Sequence, residues 1–128
     1  MAAYSAAVLE RVRNPQRVGT LPESAEVGTG EAGSLDSGAL ARIQVRVSEG
    51  RIVEARFKVF GCSAAIAAAG LVAEWLEGAS LDEARQLTAE RVVEQLTLPE
   101  DRVHVAGIAV DAARQAVQDV NHKTGRQA

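Results

Sequence analysis

The sequence lacks most of the features by which small proteins cross-link themselves or bind polyanions. Its single cysteine, Cys62, excludes an intrachain disulfide and a four-cysteine zinc site. The 14 basic and 17 acidic residues are scattered and leave a net charge of −3, so there is no basic stripe for nucleic acid and no polybasic run for anionic lipid. No basic segment followed by an apolar stretch opens the chain. We therefore expect no signal peptide and a reducing, cytoplasmic location.

Long apolar runs and aromatic side chains are equally scarce. The longest apolar run, from 64 to 73, is too short to span a bilayer and is interrupted by a glycine. Four residues are aromatic, whereas 24 are alanine, the residue with the highest helix propensity. We therefore expect helices that pack closely through small side chains. The core should consist of Val, Leu, Ile and Ala, with Phe57, Phe60 and Trp75 as its large members.

Alternating apolar and polar residues predict a small antiparallel sheet. The alternation runs from 41 to 47 and again from 53 to 59, on either side of the turn Ser48-Glu49-Gly50. It predicts a hairpin from Ala41 to Phe60, and a third strand is expected near 26 to 33. The predicted polar face carries Arg42, Gln44, Arg46, Glu54, Arg56 and Lys58. The side chains predicted to face the core are Ala41, Ile43, Val45, Val47, Val53, Ala55, Phe57 and Val59.

Helices are predicted on both sides of this hairpin. The first should cover 3 to 13, with Val8, Leu9 and Val12 on one face, and should end at Asn14-Pro15. The others are predicted at 63 to 77, after the capping box Ser80-Leu81-Asp82-Glu83, at 88 to 96, and at 103 to 121 with Asp101 as N-cap. The sequence thus predicts one α+β domain over 1–128. Its three-stranded antiparallel sheet carries helices on one face, and a polar tail at 123–128 is expected to fray.

Several motifs carry a family resemblance that runs from Tyr4 to about Val120. The strongest is the segment from Ala55 to Ile66, which reads Ala-Arg-Phe-Lys-Val-Phe-Gly-Cys-Ser-Ala-Ala-Ile. Val27-Gly28-Thr29-Gly30 and Glu74-Trp75-Leu76-Glu77-Gly78 accompany it. The chain resembles the iron–sulfur cluster scaffolds of the IscU type and the N-terminal domain of NifU. The resemblance implies that fold, a role in cluster assembly without enzyme activity, and partners such as a cysteine desulfurase and other assembly proteins.

The same resemblance implies a reduced set of cluster ligands. The family assembles a [2Fe–2S] cluster on three cysteines, an aspartate and a histidine. Cys62 and His104 match the second cysteine and the histidine, and they are the candidate metal and cluster ligands. The turn that carries the first cysteine and the aspartate reads Ser37-Gly38-Ala39, and the third cysteine is Val105. We expect Ser37 to be a turn residue, and we expect the isolated monomer to bind neither zinc nor a [2Fe–2S] cluster tightly.

The chemistry of Cys62 has two readings. A free cysteine is commonly a small buried apolar residue. Cys62, however, lies between a predicted strand and a helix N-terminus, where backbone N–H groups stabilise a thiolate and lower its pKa. His104 is likewise either a ligand or a histidine that bonds to the start of its helix.

The segment Leu98-Pro99-Glu100-Asp101-Arg102 corresponds to the family's Leu-Pro-Pro-Val-Lys motif, which a dedicated Hsp70 chaperone binds. The two acidic residues replace Pro-Val, and an Hsp70 groove favours an extended apolar peptide. We therefore expect weakened or absent docking of the chaperone.

Two functions follow from these residues. In the first, two chains form a homodimer that holds one [2Fe–2S] cluster between them through Cys62, with His104 as a further ligand. In the second, the chain is a metal-free adaptor or regulatory module. It would keep surfaces for a cysteine desulfurase, a paralogous scaffold or an apo-acceptor.

Overall fold

The computed structural model describes residues 4–124. Five α-helices, three strands and one 3-10 turn follow one another along this part of the chain. In order they are α1 (Ala6–Arg13), β1 (Val27–Ser34), β2 (Ala39–Ser48), β3 (Arg51–Gly61), α2 (Ser63–Leu76), α3 (Leu81–Arg85), α4 (Ala89–Leu96), the 3-10 turn Glu100–Arg102 and α5 (His104–Thr124). None of the helices in 4–124 is both long and apolar enough to cross a membrane.

The sheet is antiparallel throughout, with the order β1-β2-β3. Ile43 in the central strand lies opposite Gly30 of β1 and Phe57 of β3. Helix α5 lies against β1 and β2, and α2 lies against β3. The predicted α+β fold, with a three-stranded sheet and a helical layer, is confirmed.

A bulge in the hairpin changes which residues of β3 face the helices. Arg46 pairs with Glu54, but Val47 pairs with Ile52, so Val53 is an extra residue in β3. One extra residue reverses the alternation of a strand. Ile52 is therefore fully buried and Val53 is 40% exposed, so the prediction that Val53 faces the core is wrong.

The outer edge of β3 is covered at one point by the segment that follows α1. The Phe57 N–H donates to the Arg17 carbonyl, and the Gly19 N–H donates to the Phe57 carbonyl, both at 2.9 Å. Val18 thereby forms a parallel bridge with Phe57. This pairing fixes where the chain leaves α1 and crosses towards β1.

The crossing segment also buries part of the sheet face that was predicted to be polar. Gln44 Oε1 accepts from the Leu21 N–H at 2.8 Å, and Gln44 Nε2 donates to the Leu21 carbonyl and to Thr29 Oγ1. Gln44 is consequently 3% exposed. The prediction that Gln44 lies on a solvated face is therefore wrong. The alternation within β2 shows which side chains share a face, but it does not show that a loop covers that face.

The backbone of helix α5 lies directly against the backbone of β1, because β1 has glycine at the positions that meet the helix. A Cβ added to Gly28 would overlap the Ala116 carbonyl oxygen, and one added to Gly30 would overlap the carbonyl oxygen of Ala112. The helix presents alanines here, and Ala109, Ala112, Ala113 and Ala116 are at most 1% exposed. Small residues on both sides thus form this layer, as the alanine content predicts.

The helix ends follow the predicted signals with two exceptions. Ser80 and Glu83 form the predicted capping box of α3. Asp101 does not cap α5, because it lies within the 3-10 turn and its carboxylate pairs with Arg102 at 3.2 Å. Lys123 is helical rather than frayed, since its Nζ donates to the Val27 carbonyl at 2.8 Å. Residues 125–128 of the predicted tail lie outside the described part.

Three other side chains test the predicted core. Phe57 is 2% exposed, as predicted. Trp75 is partly buried and lies 5.0 Å from the Arg91 guanidinium. Phe60 is 71% exposed, so its assignment to the core is wrong; it stands three positions after Phe57, and an odd offset puts its side chain on the opposite face of the strand. The predicted shared face of α1 is wrong for Leu9, which is 40% exposed beside a fully buried Val8.

Candidate functional site

Cys62 is the N-cap residue of α2 and directly follows β3. Its side chain is partly exposed. Burial of the thiol raises its pKa, but the N–H groups of Ala65 and Ala64, the Tyr4 hydroxyl and the Arg102 guanidinium outweigh this effect. The net result is a pKa below the ordinary value, which favours the thiolate. The predicted helix N-terminal position and its effect on the thiol are thus both present.

Tyr4 and Arg102 form a polar pair beside this thiol. Arg102 Nε donates to the Tyr4 hydroxyl oxygen at 3.2 Å, and this hydrogen bond is the main reason why the pKa of Arg102 is raised. The Tyr4 hydroxyl in turn helps to lower the pKa of Cys62. Neither residue was predicted from the sequence as a site residue. They lie 98 positions apart along the chain, and no local motif links them to Cys62.

The turn between β1 and β2 lies next to Cys62 along the sheet. Ala39 pairs with Gly61, the residue before the cysteine. The Ser37 hydroxyl donates to the Ser34 carbonyl at 2.8 Å and also lies 3.0 Å from the Ala39 carbonyl, and Ser37 Oγ accepts from the Ser34 N–H at 3.0 Å. Ser37 is therefore held as a turn residue, and Ala39 is 2% exposed and packs in the core.

The start of α5 lies at the same end of the sheet. Ile108, one turn after His104, reaches to within 3.1 Å of the position that a Cβ on Gly33 would take. His104 is exposed, whereas Val105 is 2% exposed. The positions that the resemblance predicts to carry ligands in the family therefore lie towards one end of the molecule. Within 4–124, no cluster of three or more His, Cys, Asp or Glu residues is placed to hold a metal ion.

The segment that was predicted to correspond to the family's chaperone-binding motif is folded rather than extended. Leu98 is 8% exposed, and Glu100–Arg102 forms the 3-10 turn that leads into α5. Arg102 is engaged with Tyr4 and with Asp101. The last residue of the motif thus contributes to the surroundings of Cys62.

Comparison with known proteins matches the whole length of this fold. The family model described as "NifU-like N terminal domain" matches residues 3–127. The chain is 40% identical over 125 residues to the iron-sulfur cluster assembly scaffold protein IscU of Azotobacter vinelandii, covering 96% of this chain and 98% of that protein. It is 39% identical over 125 residues to the iron-sulfur cluster assembly enzyme IscU of Drosophila melanogaster, covering 96% of this chain and 81% of that protein.

A solved structure agrees at the level of the fold. The N-terminal part of a nitrogen-fixing NifU-like protein from Brucella abortus matches with a TM-score of 0.73 and 20% identity, covering 93% of this chain and 94% of that one. By its sequence and by its fold, this chain belongs to the family of NifU-like N-terminal domains, which includes the IscU scaffolds.

Proposed function

We propose that this chain takes part in iron–sulfur cluster assembly as a scaffold, with the cluster as its cargo and Cys62 as the ligand that holds it. The observation that carries the proposal is a partly exposed thiol whose pKa is lowered by the start of α2, by Tyr4 and by Arg102. Thiolate is the form of cysteine that binds metal, and it is the ligand that iron–sulfur clusters require. The names of the relatives support the same role.

The number of ligands favours a cluster shared between two chains. A [2Fe–2S] cluster takes four protein ligands, and one chain supplies Cys62 and the exposed His104. A symmetric pair of chains would supply two thiolates and two imidazoles. Arg102 would oppose the negative charge that thiolate ligands add to the cluster.

The test is reconstitution with ferrous iron and sulfide in the absence of oxygen. We expect a coloured dimer with one cluster per two chains. Cys62→Ser should lose both the colour and the dimer, because no second thiolate exists in the sequence. His104→Ala should weaken the cluster or shift its absorption spectrum, whereas His122→Ala, at the far end of α5, is the matched control and should change neither. A coloured Cys62→Ser protein would contradict the proposal.

The burial of two substituted positions favours a second function. Ala39 and Val105, which stand where the family has an aspartate and a cysteine, are each 2% exposed and belong to the core. Core residues at these two positions do not bind metal, and this fits a metal-free adaptor. Such an adaptor would bind a cysteine desulfurase, a paralogous scaffold or an apo-acceptor. The folded segment from Leu98 to Arg102 fits an adaptor without Hsp70 docking as well.

One comparison of measurements separates the two functions. The chain is reconstituted as above and is also tested for retention of a purified cysteine desulfurase on a column. A colourless monomer that retains the desulfurase supports the adaptor and contradicts the shared cluster. A coloured dimer supports the shared cluster, whatever partner it retains.

A further inference from the structure

The outer edge of β3 is unpaired over its last residues. Phe57 directs its N–H and carbonyl to Arg17 and Gly19, and the Ala55 N–H donates to Glu77 Oε2 at 3.1 Å on the same edge. Backbone groups on one edge of an antiparallel strand recur at every second residue, so the N–H and carbonyl of Val59 face this edge too. No other part of 4–124 hydrogen-bonds to Val59 there. One donor and one acceptor are thus free for an added strand.

An apolar groove of about 380 Å³ lies beside this free edge. Its apolar lining includes Val12, Pro15, Val18, Phe60 and Ile66. Phe60 is 71% exposed and Val18 is 54% exposed. Adjacent exposed apolar side chains of this size are typical of a surface that another molecule covers.

Lys58 is the charged residue that lines the groove. Its side chain is exposed, and it takes part in none of the ion pairs formed within 4–124. An acidic side chain on a molecule in the groove would therefore meet an uncompensated positive charge. This favours a negatively charged occupant over a basic one.

We propose that this surface binds an extended, acidic and apolar segment of a partner protein by strand addition at Val59. The segment is extended because the free groups are those of a strand edge, and main-chain pairing supplies its affinity. An apolar side chain enters the groove, and an acidic side chain lies beside Lys58.

Cys62 stands three residues after Val59, so a segment bound at this edge reaches the neighbourhood of the thiol. A partner that delivers or accepts cargo would thereby be brought to the ligand. This last step rests on the proposed cluster role of Cys62, whereas the binding of the segment does not.

The test uses metal-free, ¹⁵N-labelled protein and a synthetic peptide with blocked ends, Thr-Val-Glu-Val-Thr-Val. We expect the largest amide shifts in the segment from Phe57 to Gly61, and slower hydrogen exchange at the Val59 N–H. The same peptide with methylated backbone nitrogens should bind at least about tenfold more weakly, because it cannot donate to the strand edge. This control leaves the protein unchanged, so a folding defect cannot imitate it.

A charge exchange tests the role of Lys58. Lys58→Glu should weaken binding of the acidic peptide and favour a peptide with lysine in place of glutamate. Arg85→Glu is the matched control, since it makes the same charge change on α3, where Arg85 pairs with Asp82. It should leave the preference for the acidic peptide intact.

Three results would overturn the proposal. The methylated peptide could bind as well as the original, or the shifts could lie away from β3. Shifts at Val59 could also grow with protein concentration before any peptide is added, which would assign the edge to a second copy of the chain. A colourless reconstitution does not affect this test, and failure of the peptide to bind does not affect the proposal for Cys62.

Discussion

The contact between β1 and α5 and the end of the molecule around Cys62 differ in what fixes their residues. At the first, Gly28 and Gly30 have no room for a side chain, because the helix backbone fills the space. At the second, Ser37 lies on an exposed turn, and Ala39 and Val105 fill core positions, although the resemblance predicts that the family has ligands there. Packing therefore requires glycine at the contact between β1 and α5, whereas it accepts apolar residues at the predicted ligand positions.

The largest expected effect is a loss of stability at the contact between β1 and α5. Gly30→Ala should lower the free energy of unfolding by at least about 3 kcal/mol, because α5 must move away from β1. Gly107→Ala is the matched control within α5, since a Cβ there meets nothing within 4 Å, and it should raise stability by up to about 1 kcal/mol. Urea unfolding measures both. A small loss for Gly30→Ala would show that the contact is as tolerant as the Cys62 end.

A middle-sized effect is expected where the segment after α1 is tied to β3. Glu77 accepts from the Ala55 N–H and pairs with Arg17 and Arg56 at 2.9 and 3.2 Å. Burial raises the pKa of Glu77, but these partners lower it overall. Glu77→Ala should cost about 1 to 2 kcal/mol near neutral pH, whereas Glu74→Ala, in a more exposed pair with Arg11, should cost less than about 1 kcal/mol.

The pH dependence of this contribution has a definite sign. A carboxyl with a lowered folded-state pKa stabilises the fold above its unfolded pKa, and the contribution is lost as the pH falls through the folded value. The difference in unfolding free energy between wild type and Glu77→Ala should therefore shrink below about pH 4. A difference that stays constant with pH would show that packing, rather than charge, underlies the effect.

The smallest effect on stability is expected at the Cys62 end, where the change should appear in reactivity. Tyr4→Phe removes the hydroxyl that lowers the pKa of Cys62 and that accepts from Arg102, so the pKa of Cys62 should rise. Alkylation near neutral pH should slow by about two- to fivefold while stability changes by less than about 1 kcal/mol. Arg102→Gln should act in the same direction, and Arg85→Gln should have no effect. The measurement is the alkylation rate of Cys62 as a function of pH. Equal rates in Tyr4→Phe, Arg102→Gln and Arg85→Gln would contradict the prediction.

The sequence predicts the regular elements well because their signals are local. The alternation in the hairpin, the proline after α1 and the capping box at Ser80 each lie within a few residues of the feature that they specify. Val53 was placed on the wrong face, and Gln44 was wrongly expected to be solvated, for a different reason. A bulge depends on how the two strands pair, a covering loop depends on a segment elsewhere in the chain, and neither is recorded by the alternation within a strand.

The candidate site likewise has one feature that local sequence predicts and others that it does not. The position of Cys62 at a helix N-terminus follows from the order of strand and helix, and the structure has it there. The contribution of Tyr4 and Arg102 does not follow, since they lie far apart along the chain and meet only after α1 and α5 have packed. The roles of Cys62 and His104 as ligands remain predictions that the experiments above address.

The position of Tyr4 has a practical consequence for handling the protein. A tag joined at that end of the chain is attached only a few residues before Tyr4, whose hydroxyl lies beside the Cys62 thiol. A polyhistidine tag at that end would place several imidazoles next to a thiolate, and such a mixture binds metal well by itself. The end of α5 is anchored near Val27, at the other end of β1 from the turn that adjoins Cys62. A purification tag for metal studies therefore belongs after Thr124.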